Sequence, residues 1–101
     1  MYSTELTMKE ENIEKASKAL KAMGHPLRLK ILCVIGSEEL PVMEIVSKVG
    51  TTQSNISQHI DILREKDIIV SRRDGSKILC KVKDLQILKL LQSMQETFCG
   101  V

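Results

Sequence analysis

Val49-Gly-Thr-Thr-Gln-Ser-Asn-Ile-Ser-Gln-His-Ile-Asp-Ile-Leu-Arg64 decides how the rest of the chain is read. Ile56, Ile60 and Leu63 recur at i, i+4 and i+7, so on a helix they form one stripe that must face a core. At about 100° per residue, Ser54, Gln58 and Asp61 fall opposite that stripe, with Ser57 between the two faces. Thr51 or Thr52 can cap the first turn through its hydroxyl, and Gly50 permits a sharp turn just before it. The outer face of the first two turns then carries short hydrogen-bonding side chains and no bulky charge, which suits a helix that must enter a groove. Gln and Ser can bond base edges, whereas phosphates need only donors. An ordinary amphipathic surface helix shows the same stripe, so the flanks must decide.

Downstream, after Lys66-Asp67, the apolar period shortens to that of strands: Ile68 to Arg72, then Arg73-Asp74-Gly75-Ser76, then Lys77 to Lys83. Asp74-Gly75 between two such runs signals a hairpin. In the second strand Ile78, Cys80 and Val82 share one face, and Lys77, Leu79, Lys81 and Lys83 the other. Upstream, Gly36 to Glu39 reads as a loop, and Pro41 starts a short helix ending near Lys48, with Val42, Ile45 and Val49 turned inward. A short helix, a turn with Gly50 and a longer polar-faced helix make a helix-turn-helix. The hairpin becomes a basic wing beside it.

Working further outward, Pro26 fits the first turn of a helix running to about Ile35, where its missing N–H has no partner anyway. That helix is apolar around most of its circumference and should be central; Arg28 and Lys30 are its only charges. A first helix from about Lys9 to Met23 places Ile13, Ala16, Leu20 and Met23 on a narrow seam suited to one partner helix. Asp84 caps a last helix from Leu85 to about Phe98 that is apolar on more than one side. A terminal helix of that kind is expected to pack with the first helix across a two-fold axis. Two protomers so joined would hold their polar-faced helices roughly 34 Å apart, one turn of DNA.

With 101 residues the chain is expected to be one domain, 1–101, with residues 1–8 flexible. Hydrophobic content of 43% with only 2% aromatic implies a core of Leu, Ile, Val and Met. The net charge of +2 says little, but from Arg64 to Lys83 seven basic residues stand against three acidic ones. That local excess of +4 suits a surface that touches phosphates, although a solvated hairpin can carry the same charges. The first twelve residues have no apolar run, so neither a signal peptide nor a membrane span is expected there, and a cytoplasmic location follows. Three cysteines without a secretory signal are expected to rest as thiols. No Cys/His pair, glycine-rich phosphate loop or carboxylate pair stands at a spacing useful for catalysis, so no enzyme is expected.

In this order of elements the chain resembles the ArsR/SmtB family of bacterial winged helix-turn-helix repressors over nearly its whole length. Gly24-His-Pro-Leu-Arg-Leu-Lys-Ile-Leu32, Gln53-Ser-Asn-Ile-Ser-Gln-His-Ile-Asp-Ile-Leu63 and Arg73-Asp-Gly-Ser-Lys77 carry the likeness. The fold class it implies is mainly α with a small β-hairpin, dimerising through the first and last helices. The implied function is to block transcription by covering a double-stranded operator, an imperfect palindrome, and to release it on an inducer. For DNA contact we single out Thr52, Gln53, Ser54, Ser57, Gln58, His59, Arg72, Arg73 and Lys77; for His59, phosphate contact and structural support stand as equally weighted alternatives.

Many such proteins sense metals, and here the sequence departs from the pattern. Pro41 and Met43 stand where the third-helix site needs cysteines, and neither supplies a thiolate. Asp84 is present at the last-helix site, but Gln86, Thr97 and Gly100 occupy its other positions, so no metal or other cofactor is expected. Cys33 and Cys99 match instead the cysteine pair of a metal-free subgroup that responds to persulfides and related oxidants. The resemblance implies a disulfide or longer sulfur bridge between them that respaces the two reading helices. Cys33 is the better first nucleophile if Arg28 or Lys30 is near, since a helix carboxyl end disfavours a thiolate at Cys99. Cys80 is expected to be structural and His25 a local hydrogen-bonding residue. Two alternatives stay open: a metal or metalloid sensor using Cys33, Cys80 and Cys99, and a DNA-binding protein with no switch.

Overall fold

A computed structural model describes residues 5–99. Of the eight residues expected to be flexible, the first four lie outside the described residues. Helix α1 spans Glu10–Met23, with Glu10 and Glu11 at its positive end. Helix α2, Pro26–Ile35, begins on its proline, and the His25 ring accepts a hydrogen bond from the Leu27 amide at 3.1 Å. Its Ile31, Leu32 and Ile35 are buried, which makes it the central helix its composition predicts. Helix α3, Val42–Val49, ends on Gly50, whose φ of 86° is left-handed. No atom lies within 4 Å of a Cβ built there, so backbone conformation rather than space selects glycine. Helix α4, Gln53–Glu65, follows directly. The Thr52 hydroxyl caps it by accepting from the Asn55 amide at 3.1 Å.

The sheet holds one strand more than the sequence suggests. Glu39–Pro41, read above as loop and helix start, forms strand β1. Its partner is β3, Lys77–Val82, and β3 also pairs with β2, Ile69–Asp74, giving an antiparallel order β1-β3-β2. Leu40 is the reason: opposite Cys80 in the register, it buries its side chain in the core, and Pro41 then leaves the edge as the N-cap of α3. The wing turn is also tighter than expected. Asp74 pairs with Lys77, so Gly75 and Ser76 alone form the loop, and Gly75 takes the positive φ of 64° that a glycine-first two-residue turn needs.

One core joins α2, α3, α4 and the sheet. Ile56, Ile60 and Leu63 from α4 meet Ile31, Leu32, Ile45, Ile69 and Val82 there. Helix α5, Leu85–Cys99, starts where the Asp84 carboxylate accepts from the Ile87 amide at 2.9 Å. It rests Ile87, Leu88 and Leu91 on the core yet has no buried residue of its own. Ile13 and Leu20 of α1 and Leu85, Leu90, Met94 and Phe98 of α5 are exposed, Phe98 at 75%. Among the described residues no helix is long and apolar enough to cross a membrane.

Candidate nucleic-acid interface and dithiol site

The capped start of α4 and the tip of the wing face one cleft. Gln53 and Ser57 of α4 line it together with Ser76, Lys77 and Ile78 of the wing, and the cleft encloses about 490 Å³. Gln53, Ser54 and Gln58 are exposed, Ser57 is half-buried, and Arg73 and Lys77 are exposed at the tip. Side chains able to read base edges therefore stand beside cations able to hold a phosphate backbone. Sequence reasoning missed Met43, Glu44 and Ser76, which border the same cleft. Met43 is 57% exposed although it lies on a helix whose other apolar residues turn inward, a signal that was available in its place off the Val42, Ile45, Val49 stripe.

Three residues singled out for DNA contact have other partners. The Thr52 hydroxyl is engaged in the cap. His59 is half-buried, its ring centroid 4.8 Å from that of His25, and Arg28 Nη1 lies 3.2 Å from its Nδ1. Burial, and then the nearness of His25 and Arg28, lower its pKa below the ordinary histidine value. These contacts join α4 to the start of α2 through His59, His25 and Arg28. Arg72 donates from Nε and Nη2 to the two carboxylate oxygens of Glu39, at 2.9 and 2.8 Å. That fork ties the wing to β1, and the hydrogen bond from Arg72 holds the Glu39 carboxyl below its usual range.

A second set of contacts ties α4 to the sheet. Arg64 pairs with Asp61 one turn back, and its Nη1 donates to the Ser71 hydroxyl at 3.0 Å. Ser71 Oγ lies 3.5 Å from the sulfur of Cys80. Cys80 is fully buried, and burial pushes its thiol pKa up, so this sulfur stays protonated and acts as a small core residue.

Cys33 and Cys99 have a different setting. Both are free and exposed, and both line a cavity of about 590 Å³ between α2 and α5. Cys80 is not part of that lining. Among the described residues no three His, Cys, Asp or Glu side chains gather to hold a metal ion, so the three-thiolate arrangement considered from the sequence is not assembled. The cations considered as activators of Cys33 are engaged elsewhere. Arg28 Nε donates to the Ala22 carbonyl at 2.6 Å, and Lys30 Nζ donates to the Val49 carbonyl at 3.3 Å.

A recognition-type helix behind a glycine turn, with a basic wing alongside, defines a winged helix-turn-helix of the DNA-binding kind. Comparison with known proteins agrees. The family described as "Bacterial regulatory protein, arsR family" matches residues 25–71. The HTH-type transcriptional regulator YgaV of Escherichia coli (strain K12) is 34% identical over 95% of this chain and 98% of its own. Among solved structures, HlyU from Vibrio cholerae N16961 superposes with a TM-score of 0.85 at 30% identity, covering 90% of this chain and 99% of that one. HlyU has also been solved in a reduced form. The transcriptional repressor BigR from Xylella fastidiosa superposes at 0.78 with 29% identity, covering 91% of this chain and 98% of that one. The chain belongs to the ArsR family of transcriptional regulators.

Proposed function

We propose that the protein is a homodimeric repressor that leaves its operator when Cys33 and Cys99 are reversibly joined, by a disulfide or a longer sulfur bridge, in response to reactive sulfur species or oxidants. The observation that carries this reading is the shared cavity: two exposed thiols, far apart in sequence, border one space between α2 and α5. Within one chain helix α5 has no buried residue, so a bridge at its last residue can draw it toward α2. The exposed apolar residues of α1 and α5 supply the dimer face, and moving α5 alters how the two protomers meet. A shift of a few Å between the two α4 helices then breaks register with successive major grooves. Gln53, Ser54, Ser57 and Gln58 read the operator, and Arg73 and Lys77 hold its backbone.

Intact-mass measurement and peptide mapping after treatment with a sulfane-sulfur donor test the chemistry. The expected product is Cys33 joined to Cys99 within one chain, with Cys80 untouched. Cys33→Ser and Cys99→Ser variants should bind DNA in gel shifts but ignore the donor. Both thiols unmodified, or reduced variants unable to bind, would overturn the reading.

A further inference from the structure

The cleft between the capped start of α4 and the wing tip has apolar walls that base reading and phosphate holding leave without a task. Met43, in the first turn of α3, is 57% exposed, and Ile78, on β3 beside the hairpin turn, is 41% exposed; both border the cleft. A single exposed apolar residue is ordinary, but two brought to one cleft from separate elements make a patch. The polar groups on the same lining come from either side: Lys77 from the wing, Gln53 and Ser57 from α4. Glu44, which also borders the cleft, has the opposite charge, and Lys48 Nζ lies 3.2 Å from its carboxylate and offsets it. A strand of duplex DNA presents matching chemistry within one nucleotide: an anionic phosphate, the C–H face of the deoxyribose and a base edge.

We infer that Met43 and Ile78 pack on the deoxyribose of a DNA strand that passes through this cleft, an apolar contact made beside the base reading of Gln53 and Ser57 and the phosphate contact of Lys77. This rests on the DNA-binding part of the function proposed above and adds two residues to it. The cleft is continuous with the reading face of α4, and the Lys77 cation has the sign that a strand requires. Met43 is unbranched and adapts to an irregular surface, whereas Ile78 is held by the strand that carries it. Packing on a sugar takes apolar surface out of water on both partners and releases no counterion. Every nucleotide has the same sugar, so the contact carries no sequence information. Its loss therefore raises Kd while leaving both the salt dependence and the preference for the operator as they were.

The test measures Kd of the reduced full-length protein by fluorescence anisotropy across a salt series, on a duplex it selects from random sequence and on an unselected one. Met43→Gln keeps the side-chain length and Ile78→Thr keeps the β-branch, so each removes apolar surface with little change of shape. Each should weaken binding about fivefold on both duplexes, with the slope of log Kd against log salt as in the wild type. Met43→Leu, still apolar, should bind as the wild type does. Unchanged affinity in the Gln and Thr variants overturns the inference. So does a flattened slope, the mark of a lost phosphate contact, or a loss confined to the selected duplex, the mark of base reading. A loss that Met43→Leu shares also overturns it, since apolar surface is then not what the contact needs. Wild-type protein that binds neither duplex overturns the DNA-binding reading itself.

Discussion

Replacing Arg28 by Met keeps most of the apolar stem and removes the guanidinium that clamps the end of α1 to α4. Two contacts go with it: the 2.6 Å bond to the Ala22 carbonyl and the 3.2 Å approach to His59 Nδ1. A hydrogen bond from a charged donor contributes about 1.5–3 kcal/mol, and partial solvent access to Arg28 moves this toward about 1–2 kcal/mol. For a domain of this size each kcal/mol lowers Tm by about 4–8 °C, so thermal unfolding at fixed protein concentration should show a fall of roughly 5–15 °C. Proton NMR supplies a second reading. His59 titrates low because it is buried and because His25 and Arg28 stand close. Losing Arg28 removes one of those causes and admits water, so the His59 midpoint should rise. The sign for stability follows from the lowered folded value. The stability tied to neutral His59 is complete above the unfolded pKa of about 6.5 and is lost as pH falls through that value toward the lower folded one. The slope should be shallower in the variant. Unchanged Tm together with an unchanged His59 titration would refute this account of the cluster.

Leu63 is fully buried in the stripe that seats α4, and Leu63→Ala should cost about 2–5 kcal/mol, read from urea unfolding. Gln53→Ala should weaken operator binding more than binding to random duplex, whereas Lys77→Ala should weaken both and flatten the salt dependence; fluorescence anisotropy across a salt series separates the two. The Glu39–Arg72 pair should support the wing above the ordinary carboxylate range of about 4.3 and fade as pH falls through the lowered Glu39 value, so wild type and Glu39→Gln should converge in Tm at low pH.

What the sequence made legible was local in character. The Ile56, Ile60, Leu63 stripe, Pro26 at a helix start, the Thr52 and Asp84 caps and the glycine of the wing turn each act within a few residues, where period and side-chain chemistry are sufficient. What it hid depends on residues far apart. Strand β1 has three residues, too few for any period to show, and its partner lies some forty positions on. A separation of 33 positions likewise hides the fork from Arg72 to Glu39, which braces the wing against β1. Strict strand alternation also overreached at Ile78. It stands on the same face as buried Cys80 and Val82, yet it is 41% exposed because the hairpin tip projects past the core. For the thiols, the family resemblance supplied the pair, and in the structure both line the one cavity between α2 and α5.

The most direct test takes one preparation through a full cycle on an operator fragment selected from random duplexes with the reduced protein. Kd is measured for the reduced form, for the form with Cys33 and Cys99 joined, and again after a thiol reductant. The expected result is a loss of at least tenfold on bridging and full recovery on reduction. Equal affinity in all three states, with the bridge verified by mass, would contradict the coupling between the thiols and the DNA-reading helices.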